Sequence, residues 1–397
     1  MKKLSLPLAI ISLFIFACAP KTDKTSESFK SISDKVKSEF APDGRSVVYE
    51  AELKKSENNY VLKGVTTSQA AKENLLSGLS SENINPVDSM VVLPDPSLGD
   101  QTFGLTRESV INIRTRPSYS SESATQTVMG TPLRILEKRS GWFRVQTPEG
   151  YIAWVTAGSV EPMNESNYNL WKTSKRYILT THYALALDKP NKNGDVVSDI
   201  VWGGIVESDG KNYNGYLKVK LPKGTEAYLP KEHLEEFTKW IDSRNPSPDN
   251  IIATGKQFVG FPYMWGGTSI KAMDCSGFTK VVYYLNGIIT LRDASQQGYT
   301  GDDIEITPDF ANLKKGDLIF FGSKATAERK ERLTHVGIYI GDGVFIHSAT
   351  SVRINSLKKD SPIYYEGSDR FIRARRLLGN VDNGKDVVSI KNHPWYF

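Results

Sequence analysis

The sequence has few cysteines, few histidines and only one long apolar run, and each shortage excludes a class of structure. Its 397 residues include two cysteines, Cys18 and Cys275, so a framework of several disulfide bonds is excluded. Outside residues 4–17 the chain has no long apolar stretch, which argues against a further membrane span. The net charge of +5 is small and the basic residues form no long block, so nucleic-acid binding is not indicated.

The N-terminus has the pattern of an export signal. Two lysines precede an apolar run that is too short to span a bilayer and that ends at Ala17-Cys18. This resembles a bacterial lipoprotein leader, which implies a signal peptide at 1–18, lipidation of Cys18, and an exported protein anchored to a membrane facing the periplasm. A plain secreted protein and an uncleaved anchor are the alternatives. The polar residues 19–28 are expected to form a flexible tether.

The rest of the chain has the pattern of a multidomain α+β protein. Residues 29–103 combine alternating strand segments with one helical segment, and they predict a small α+β domain in which nothing suggests chemistry. A linker rich in Pro, Ser and Asn at 242–250 leads into a last domain, placed at 239–379. Residues 380–397 are assigned as a C-terminal tail.

An internal repeat fills the middle of the chain. The segment "GWFRVQTPEGYIAWV" from Gly141 matches "GYLKVKLPKGTEAYL" from Gly215, at an offset of 74 residues. Short alternating segments broken by Pro and Gly are typical of small β-barrels. The first copy, 104–162, resembles a bacterial SH3-like domain, and 163–238 is a more diverged copy. Such modules often bind peptides or cell-wall strands, and a packing scaffold without a ligand is the alternative.

The one cysteine left beyond the leader lies in the segment "AMDCSGFTKV". Asp274 is a natural helix N-cap and apolar residues follow it at helical spacing, so Cys275 is predicted to lie in the first helical turn. The helix dipole and the free N–H groups there favour a thiolate, the reactive form. Ser276 and Gly277 suit a backbone that passes close to a ligand. A buried structural cysteine is the alternative.

Two histidines of the last domain lie on strands joined by a Gly-Asp-Gly turn. If Ile340 pairs with Val344 across a three-residue loop, His347 faces Gly337, and His335 lies one diagonal step away on the same sheet face. A two-residue loop or a bulge would break this parity. A cysteine nucleophile needs a base and the base needs an orienting group, so the two imidazoles are candidates for these roles.

Four segments of the last domain together resemble one family. "FPYMWGG", "DCSGF", "HVGIYIGDG" and "FIHSAT" are similar, in order and spacing, to the NlpC/p60 family of cell-wall cysteine peptidases. The resemblance covers 250–378 and implies a papain-like domain, in which a helix bearing the cysteine packs on an antiparallel sheet bearing the histidines. It implies that Cys275 is the nucleophile, His335 the base and His347 the group that orients the base, with no metal or cofactor.

The preceding SH3-like pair resembles the subgroup that cleaves peptidoglycan stem peptides with a free N-terminal L-alanine. This resemblance implies that Ser276 and Asp293 bind the α-amine and that Tyr263 helps to hold the oxyanion. It also places Trp265 on the pocket wall. Packing roles for the two aromatic residues, and a helix-capping role for Asp293, are the alternatives.

The subgroup closes its pocket with the first SH3-like module, and Tyr151 and Glu122 match the residues that approach the substrate. The implied reaction is hydrolysis of the amide between γ-D-glutamate and the diamino acid of a stem peptide, with release of L-Ala-D-Glu during cell-wall turnover. Two alternatives stay open: an amidase or acyltransferase on the same fold, and a non-enzymatic lipoprotein that binds the cell wall.

Overall fold

A computed structural model describes residues 24–57, 59–384 and 386–397. The leader and Cys18 lie outside the described residues. The described residues divide into two compact units, one comprising 24–42 with Tyr49–Val91, the other comprising Asp43–Val48 with Val92–Phe397. Within the described ranges, no helix combines the length and the apolar character needed to cross a bilayer.

The first unit is a three-stranded sheet with two helices. Its elements are α1 Lys24–Phe40, β1 Tyr49–Ser56, β2 Asn59–Thr66, α2 Gln69–Ser81 and β3 Val87–Val92. The flexible tether predicted up to residue 28 is wrong from Lys24 onward, because α1 begins there. Phe29, Ile32 and Val36 recur at helical spacing and give this segment an apolar stripe, on which Val36 is buried.

The second unit opens with two seven-stranded sheets. The first sheet contains β4 Phe103–Thr106, β5 Val110–Arg114, β6 Ser123–Val128, β7 Pro132–Arg139, β8 Trp142–Gln146, β9 Ile152–Thr156 and β10 Val160–Met163. Helix α3 Glu165–Thr173 leads to the second sheet, made of β11 Arg176–Leu179, β12 Tyr183–Leu187, β13 Val196–Val201, β14 Ile205–Tyr213, β15 Tyr216–Lys220, β16 Glu226–Pro230 and β17 Leu234–Glu236.

The two sheets have the same topology. The first has the order β10-β4-β7-β8-β9-β5-β6, and the second, taken from its other edge, has the order β17-β11-β14-β15-β16-β12-β13. Adding the offset of 74 to β8 and β9 gives the bounds of β15 and β16. The repeat predicted from the sequence is therefore a repeat of structure.

The last part of the chain places a helix against a six-stranded antiparallel sheet of order β21-β26-β22-β23-β24-β25. Its helices are α4 Phe237–Asp242, α5 Pro248–Lys256, α6 Cys275–Leu285 and α7 Ala294–Gln297. Its strands are β18 Thr268–Ser269, β19 Ala272–Met273, β20 Ile288–Ile289, β21 Asp302–Asp303, β22 Leu318–Ser323, β23 Arg332–Gly341, β24 Val344–Ser348, β25 Val352–Ser356, β26 Phe371–Arg376 and β27 Val388–Ser389. Helix α5 begins inside the segment predicted as a linker, because Ser247 caps it and Pro248 occupies its first turn.

Apolar packing holds α6 on the sheet. Phe278 and Val282 lie one turn apart on one helix face and are fully buried in a cluster with Phe320 of β22 and Ile338 of β23. Each such side chain contributes roughly 1.5–3 kcal/mol of burial free energy. The helix that begins with Cys275 therefore has a defined position over the strands that carry the histidines.

The C-terminal segment is packed against other parts of the second unit, to which it belongs. Strand β27 pairs with β20, and Tyr396 is buried in a cluster with Trp240 and Phe237 of α4. The Tyr168 hydroxyl of α3 donates a hydrogen bond of 2.6 Å to the carbonyl of Trp395. The residues assigned as a tail thus tie the second barrel-like sheet to the last domain.

The first seven-stranded sheet is joined to the last domain by buried hydrogen bonds at one threonine. The Thr268 hydroxyl accepts from the Gln126 backbone N–H at 2.9 Å and donates to the Gln126 carbonyl at 2.7 Å. The Thr268 N–H donates to the Gln126 side-chain oxygen at 2.9 Å. Strand β6 therefore lies in a defined register against β18.

We expect Thr268→Val to lower the free energy of unfolding by about 2 kcal/mol, because two buried backbone groups of Gln126 lose their partner. Urea denaturation monitored by tryptophan fluorescence measures the change. Thr173→Val, at an exposed site on α3, is the matched control. Equal stability of the two variants would show that the Thr268 hydroxyl does not hold the sheets together.

Candidate active site

The cysteine lies at the start of α6, as predicted. The Asp274 carboxylate accepts a hydrogen bond of 2.7 Å from the Gly277 N–H, so Asp274 is the N-cap. At Gly277 the close neighbour that the structure shows is another part of the backbone. A Cβ there would come 1.9 Å from the Gly267 carbonyl oxygen, so the glycine is required by a neighbouring backbone.

The Cys275 thiol lines a cavity but is not poised as a thiolate. The residue is 7% exposed and borders a cavity of about 680 Å³. Burial, followed by the nearby Asp274 carboxylate, raises the pKa of the thiol to about 12, although the N–H groups of Val336 and Ser276 point to the sulfur. The expectation that the helix start favours the thiolate is therefore wrong for the resting protein, because desolvation outweighs the dipole.

The two histidines meet on one face of the sheet. His335 Nε2 and His347 Nδ1 are 2.6 Å apart. Ile338 pairs with Ile346, and the same register sets His347 against Gly337, where a Cβ would come 3.1 Å from the His347 Cβ. The predicted facing pair is present. Val336, whose N–H reaches the sulfur, directly follows His335 along β23.

The turn that produces this register differs from the prediction. Gly341 pairs with Val344 across the two-residue turn Asp342-Gly343, and Ile340 is an extra residue in a bulge. Both turn residues have positive φ, 51° and 77°, as a type I′ turn requires. The predicted pairing of Ile340 with Val344 is wrong, but the shorter loop and the bulge each shift the parity by one residue and cancel.

Asn355, which the sequence analysis did not identify, completes a hydrogen-bonded chain that begins with His335 and His347. His347 Nε2 lies 2.9 Å from Asn355 Oδ1, and Asn355 Nδ2 donates to the Ile363 carbonyl at 3.0 Å. That donation orients the amide, so its oxygen accepts a proton from His347 Nε2. His347 Nδ1 is then an acceptor, His335 Nε2 is a donor, and His335 Nδ1 is left without a proton.

Both imidazoles are held neutral. Burial, and then the neighbouring His347, lower the pKa of His335 to about 3. Burial lowers the pKa of His347 to about 4, against the opposing effect of its hydrogen bond to Asn355. When both rings are neutral, the hydrogen bonds from Asn355 fix one tautomer for each ring. His335 Nδ1 then has no proton and can act as a base.

A buried arginine links several of the predicted residues. Arg292 is 1% exposed, and its guanidinium donates to Asp274 at 2.6 and 3.1 Å and to the Ser276 hydroxyl at 3.0 Å. Its Nε donates to Thr125 of β6 at 3.0 Å. Arg292 is therefore a buried structural cation. The Ser276 hydroxyl predicted to face an amine is already bonded to this cation.

Asp293 has the helix-capping role given as the alternative for it, and the predicted binding of an α-amine stays a prediction. It is the N-cap of α7 with a capping box to Gln296, and its carboxylate also lines the cavity that contains Cys275. Tyr151 of the first module faces it, since burial and then the Asp293 carboxylate raise the pKa of the Tyr151 phenol. The helix-capping role and a ligand-binding role are thus compatible.

The two predicted aromatic residues lie near the thiol or at the cavity that it borders. Tyr263 lies beside it, since burial and then the Cys275 sulfur raise the pKa of its phenol. Trp265 is exposed at the rim of the cavity, and its Nε1 donates to Glu122 Oε1 at 2.6 Å. Glu122 and Tyr151, both from the first module, therefore border the same cavity as the cysteine.

A further cavity residue, Arg45, and its ion-pair partner Asp43 come from a segment in which nothing suggested chemistry. Arg45 Nη1 donates to Asp293 Oδ2 at 2.7 Å, and Asp43 accepts from Gln296 at 2.9 Å. Both precede Asp293 by about 250 positions, and the sequence around them, "PDGRS", is an ordinary turn. Within the described ranges, no three side chains of His, Cys, Asp or Glu are grouped as ligands of a metal.

Comparisons with known proteins agree with this architecture. Residues 260–373 match the NlpC/P60 family, and residues 109–161 match the bacterial SH3 domain. The gamma-D-glutamyl-L-lysine dipeptidyl-peptidase of Bacillus cereus is 30% identical over 312 residues, which cover 75% of this chain and 86% of that protein. Dipeptidyl-peptidase 6 of Lysinibacillus sphaericus is 26% identical over 262 residues, covering 64% and 91%.

A solved structure has the same fold. The crystal structure of an NlpC/P60 family protein from Bacillus cereus superposes with a TM-score of 0.59 and 24% identity, covering 70% of this chain and 99% of that one. The sheet that carries two neutral histidines, the helix that begins with a cysteine and these matches lead to one conclusion: the chain belongs to the NlpC/P60 family.

Proposed function

We propose that this protein is a cysteine peptidase that hydrolyses the amide between γ-D-glutamate and the diamino acid of peptidoglycan stem peptides. The diamino acid is meso-diaminopimelate or L-lysine, the peptide carries a free N-terminal L-alanine, and the product is L-Ala-D-Glu. One observation carries the proposal: a single cavity is bordered by the Cys275 thiol and by the Asp293 carboxylate. A carboxylate in a narrow site suits an ammonium group, and a thiol backed by an imidazole suits acyl transfer.

The chemistry begins from neutral groups. As the sulfur bonds to the γ-carbonyl carbon, its proton passes to His335 Nδ1, and negative charge moves from sulfur to the carbonyl oxygen. The Cys275 N–H and the Tyr263 hydroxyl are the donors for that oxygen. The raised pKa of Tyr263 supports this role, because the phenol keeps the proton that it donates.

His335 returns the proton to the leaving amine, and the carbon–nitrogen bond breaks to give a thioester on Cys275. Water then attacks the thioester while His335 accepts its proton, and L-Ala-D-Glu leaves with regeneration of the thiol. His347 and Asn355 keep His335 in the tautomer that presents Nδ1. In each half of the cycle, the His335 imidazole is charged only between the step in which it accepts a proton and the step in which it donates that proton.

Recognition of a free amine confines the substrate to stems already severed from the glycan. The proposal therefore includes a role in cell-wall turnover and recycling. It also includes export and anchoring to a membrane through a lipid on Cys18, with the catalytic domain facing the periplasm. The activities for which the relatives are named, gamma-D-glutamyl-L-lysine dipeptidyl-peptidase and dipeptidyl-peptidase 6, support the reaction class.

We expect the purified protein to convert L-Ala-γ-D-Glu-L-Lys, or its meso-diaminopimelate counterpart, to L-Ala-D-Glu and the free diamino acid. Mass spectrometry of the products measures this, and Cys275→Ala is expected to give none. N-acetylation of the alanine should lower kcat/KM by about 100-fold, because the carboxylate site loses a charged partner. Equal cleavage of acetylated and free peptides would favour an amidase or acyltransferase, and cleavage of neither would favour a wall-binding protein.

The hydrogen-bonded chain makes a separate prediction at Asn355. Replacement by alanine removes the acceptor of the His347 Nε2 proton, and we expect kcat to fall about tenfold with little change in KM. Asn355→Asp keeps an oxygen acceptor and should restore most of kcat. Steady-state kinetics compare both variants with Asn312→Ala, an exposed asparagine in the same domain. A kcat in Asn355→Asp as low as in the alanine variant would contradict the orienting role.

A further inference from the structure

A short turn before the first described strand belongs to the unit that contains the active site. Residues 43–48 group with residues 92–397 and not with the segments that flank them. The Asp43 carbonyl accepts from the N–H groups of Ser46 and Val47 at 3.0 and 3.1 Å. The Arg45 carbonyl accepts from the Ile152 N–H at 2.6 Å, next to Tyr151. The backbone of the turn is therefore fixed against β9, at the wall of the cavity.

The Arg45 side chain is bonded at each of its three nitrogens. Nη1 donates to Asp293 Oδ2 at 2.7 Å and to the Ser295 hydroxyl at 2.9 Å. Nε and Nη2 donate to the two carboxylate oxygens of Asp43, both at 2.8 Å. Asp43 Oδ2 also accepts from the Gln296 side chain at 2.9 Å. The turn thus contacts three of the first four positions at the start of α7, namely Asp293, Ser295 and Gln296.

We propose that Arg45 is a positioning residue for amine recognition: it holds Asp293 by Oδ2 and leaves Oδ1 for the substrate ammonium, while Asp43 balances its charge. The inference rests on the proposed function and adds a specificity-determining pair to it. It assigns a role in the active site to a segment of the chain that lies outside the residues matching the NlpC/P60 and SH3 families.

Packing alone does not orient the Asp293 side chain, which accepts hydrogen bonds from the backbone N–H of Gln296 in the capping box and from the Arg45 guanidinium. Its side chain is 27% exposed, and α7, which it caps, has only four residues. The neighbouring Arg292 approaches Asp293 Oδ1 only to 3.9 Å, because its short bonds go to Asp274. The 2.7 Å bond from Arg45 is therefore the shortest contact of a charged group with this carboxylate.

Charge balance decides whether Arg45 helps or opposes an ammonium. A lone guanidinium beside Asp293 would cancel its charge and repel a cationic ligand. The two-point pairing with Asp43 offsets that charge within the turn itself, as the geometry of an arginine–carboxylate fork allows. Asp293 thus remains the uncompensated carboxylate of the group. With this arrangement an arginine can orient a cation site without neutralising it.

Steady-state kinetics on L-Ala-γ-D-Glu-L-Lys test the inference in the full-length protein. We expect Arg45→Ala to raise KM about tenfold while kcat falls less than threefold. Asp293 loses its orientation in this variant, whereas Cys275 and the hydrogen-bonded histidines are unchanged. Asp43→Ala should raise KM as well, since Arg45 then carries an unbalanced charge. The double variant should be no worse than Arg45→Ala, because Asp43 acts through Arg45. Arg45→Lys should recover part of the loss.

Arg116→Ala, at an exposed arginine of the first module, is the control for a general loss of positive charge. An unchanged KM in Arg45→Ala, alongside an active unaltered protein, would overturn the inference and leave the proposed function intact. A lowered KM would also overturn it, since Arg45 would then obstruct the amine site. Failure of the unaltered protein to cleave the free-amine peptide would refute the proposed function, and this inference with it.

Discussion

The buried ion pair between Arg292 and Asp274 is the interaction on which the rest of the site depends. Asp274 caps the helix that begins with Cys275, and Arg292 directly precedes Asp293. The same guanidinium bonds Ser276 and reaches Thr125 in the first module. A single side chain thereby links the start of the cysteine helix, the residue next to Asp293 of the proposed amine site and the wall formed by the first module. Removal of one partner of such a buried pair typically costs about 3–5 kcal/mol, because the other charge is left uncompensated.

Burial sets the protonation states as well as the geometry. The thiol and both imidazoles are desolvated, and this burial raises the pKa of the thiol and lowers the pKa of each imidazole, which favours the neutral form of all three groups. The order of hydrogen bonds from Asn355 through His347 then decides which nitrogen of His335 is free. Such a chain requires neutral, oriented imidazoles. The burial that raises the pKa of the thiol also lowers the pKa values of both imidazoles and so favours their neutral forms. The expected thiolate was wrong because a local pattern at a helix start carries no information about depth of burial.

The sequence predicted what depends on short-range pattern. The N-cap at Asp274, the repeat at an offset of 74 residues and the facing of the two histidines follow from local spacing and alternation. The details of the hairpin do not, since the bulge at Ile340 depends on how β23 fits its neighbours. The tether failed at Lys24 because the segment is polar on average, while its few apolar residues share one helix face. Averages of composition hide that kind of pattern.

Contacts between residues far apart in the chain lay beyond such inference. Asn355 follows His347 by eight positions but on the next strand, and its role depends on the register of β24 with β25. Arg45 reaches the cavity, with Asp43 beside it, because the turn that carries them docks on β9. Likewise, Gly277 suggested a ligand, whereas its neighbour is the backbone of Gly267. In each case the residue type was suggestive, but the partner was set by tertiary packing.

The central claim is that one cavity binds a peptide amine at Asp293 while the thiol faces the γ-carbonyl. A crystal structure of the Cys275→Ala protein with L-Ala-γ-D-Glu-L-Lys tests it most directly. The account predicts the ammonium nitrogen at about 3 Å from an Asp293 oxygen, a typical hydrogen-bond distance, and the γ-carbonyl carbon beside the Cβ at position 275. A peptide bound with its amine in solvent, or with its γ-carbonyl remote from that Cβ and from His335, would contradict the account.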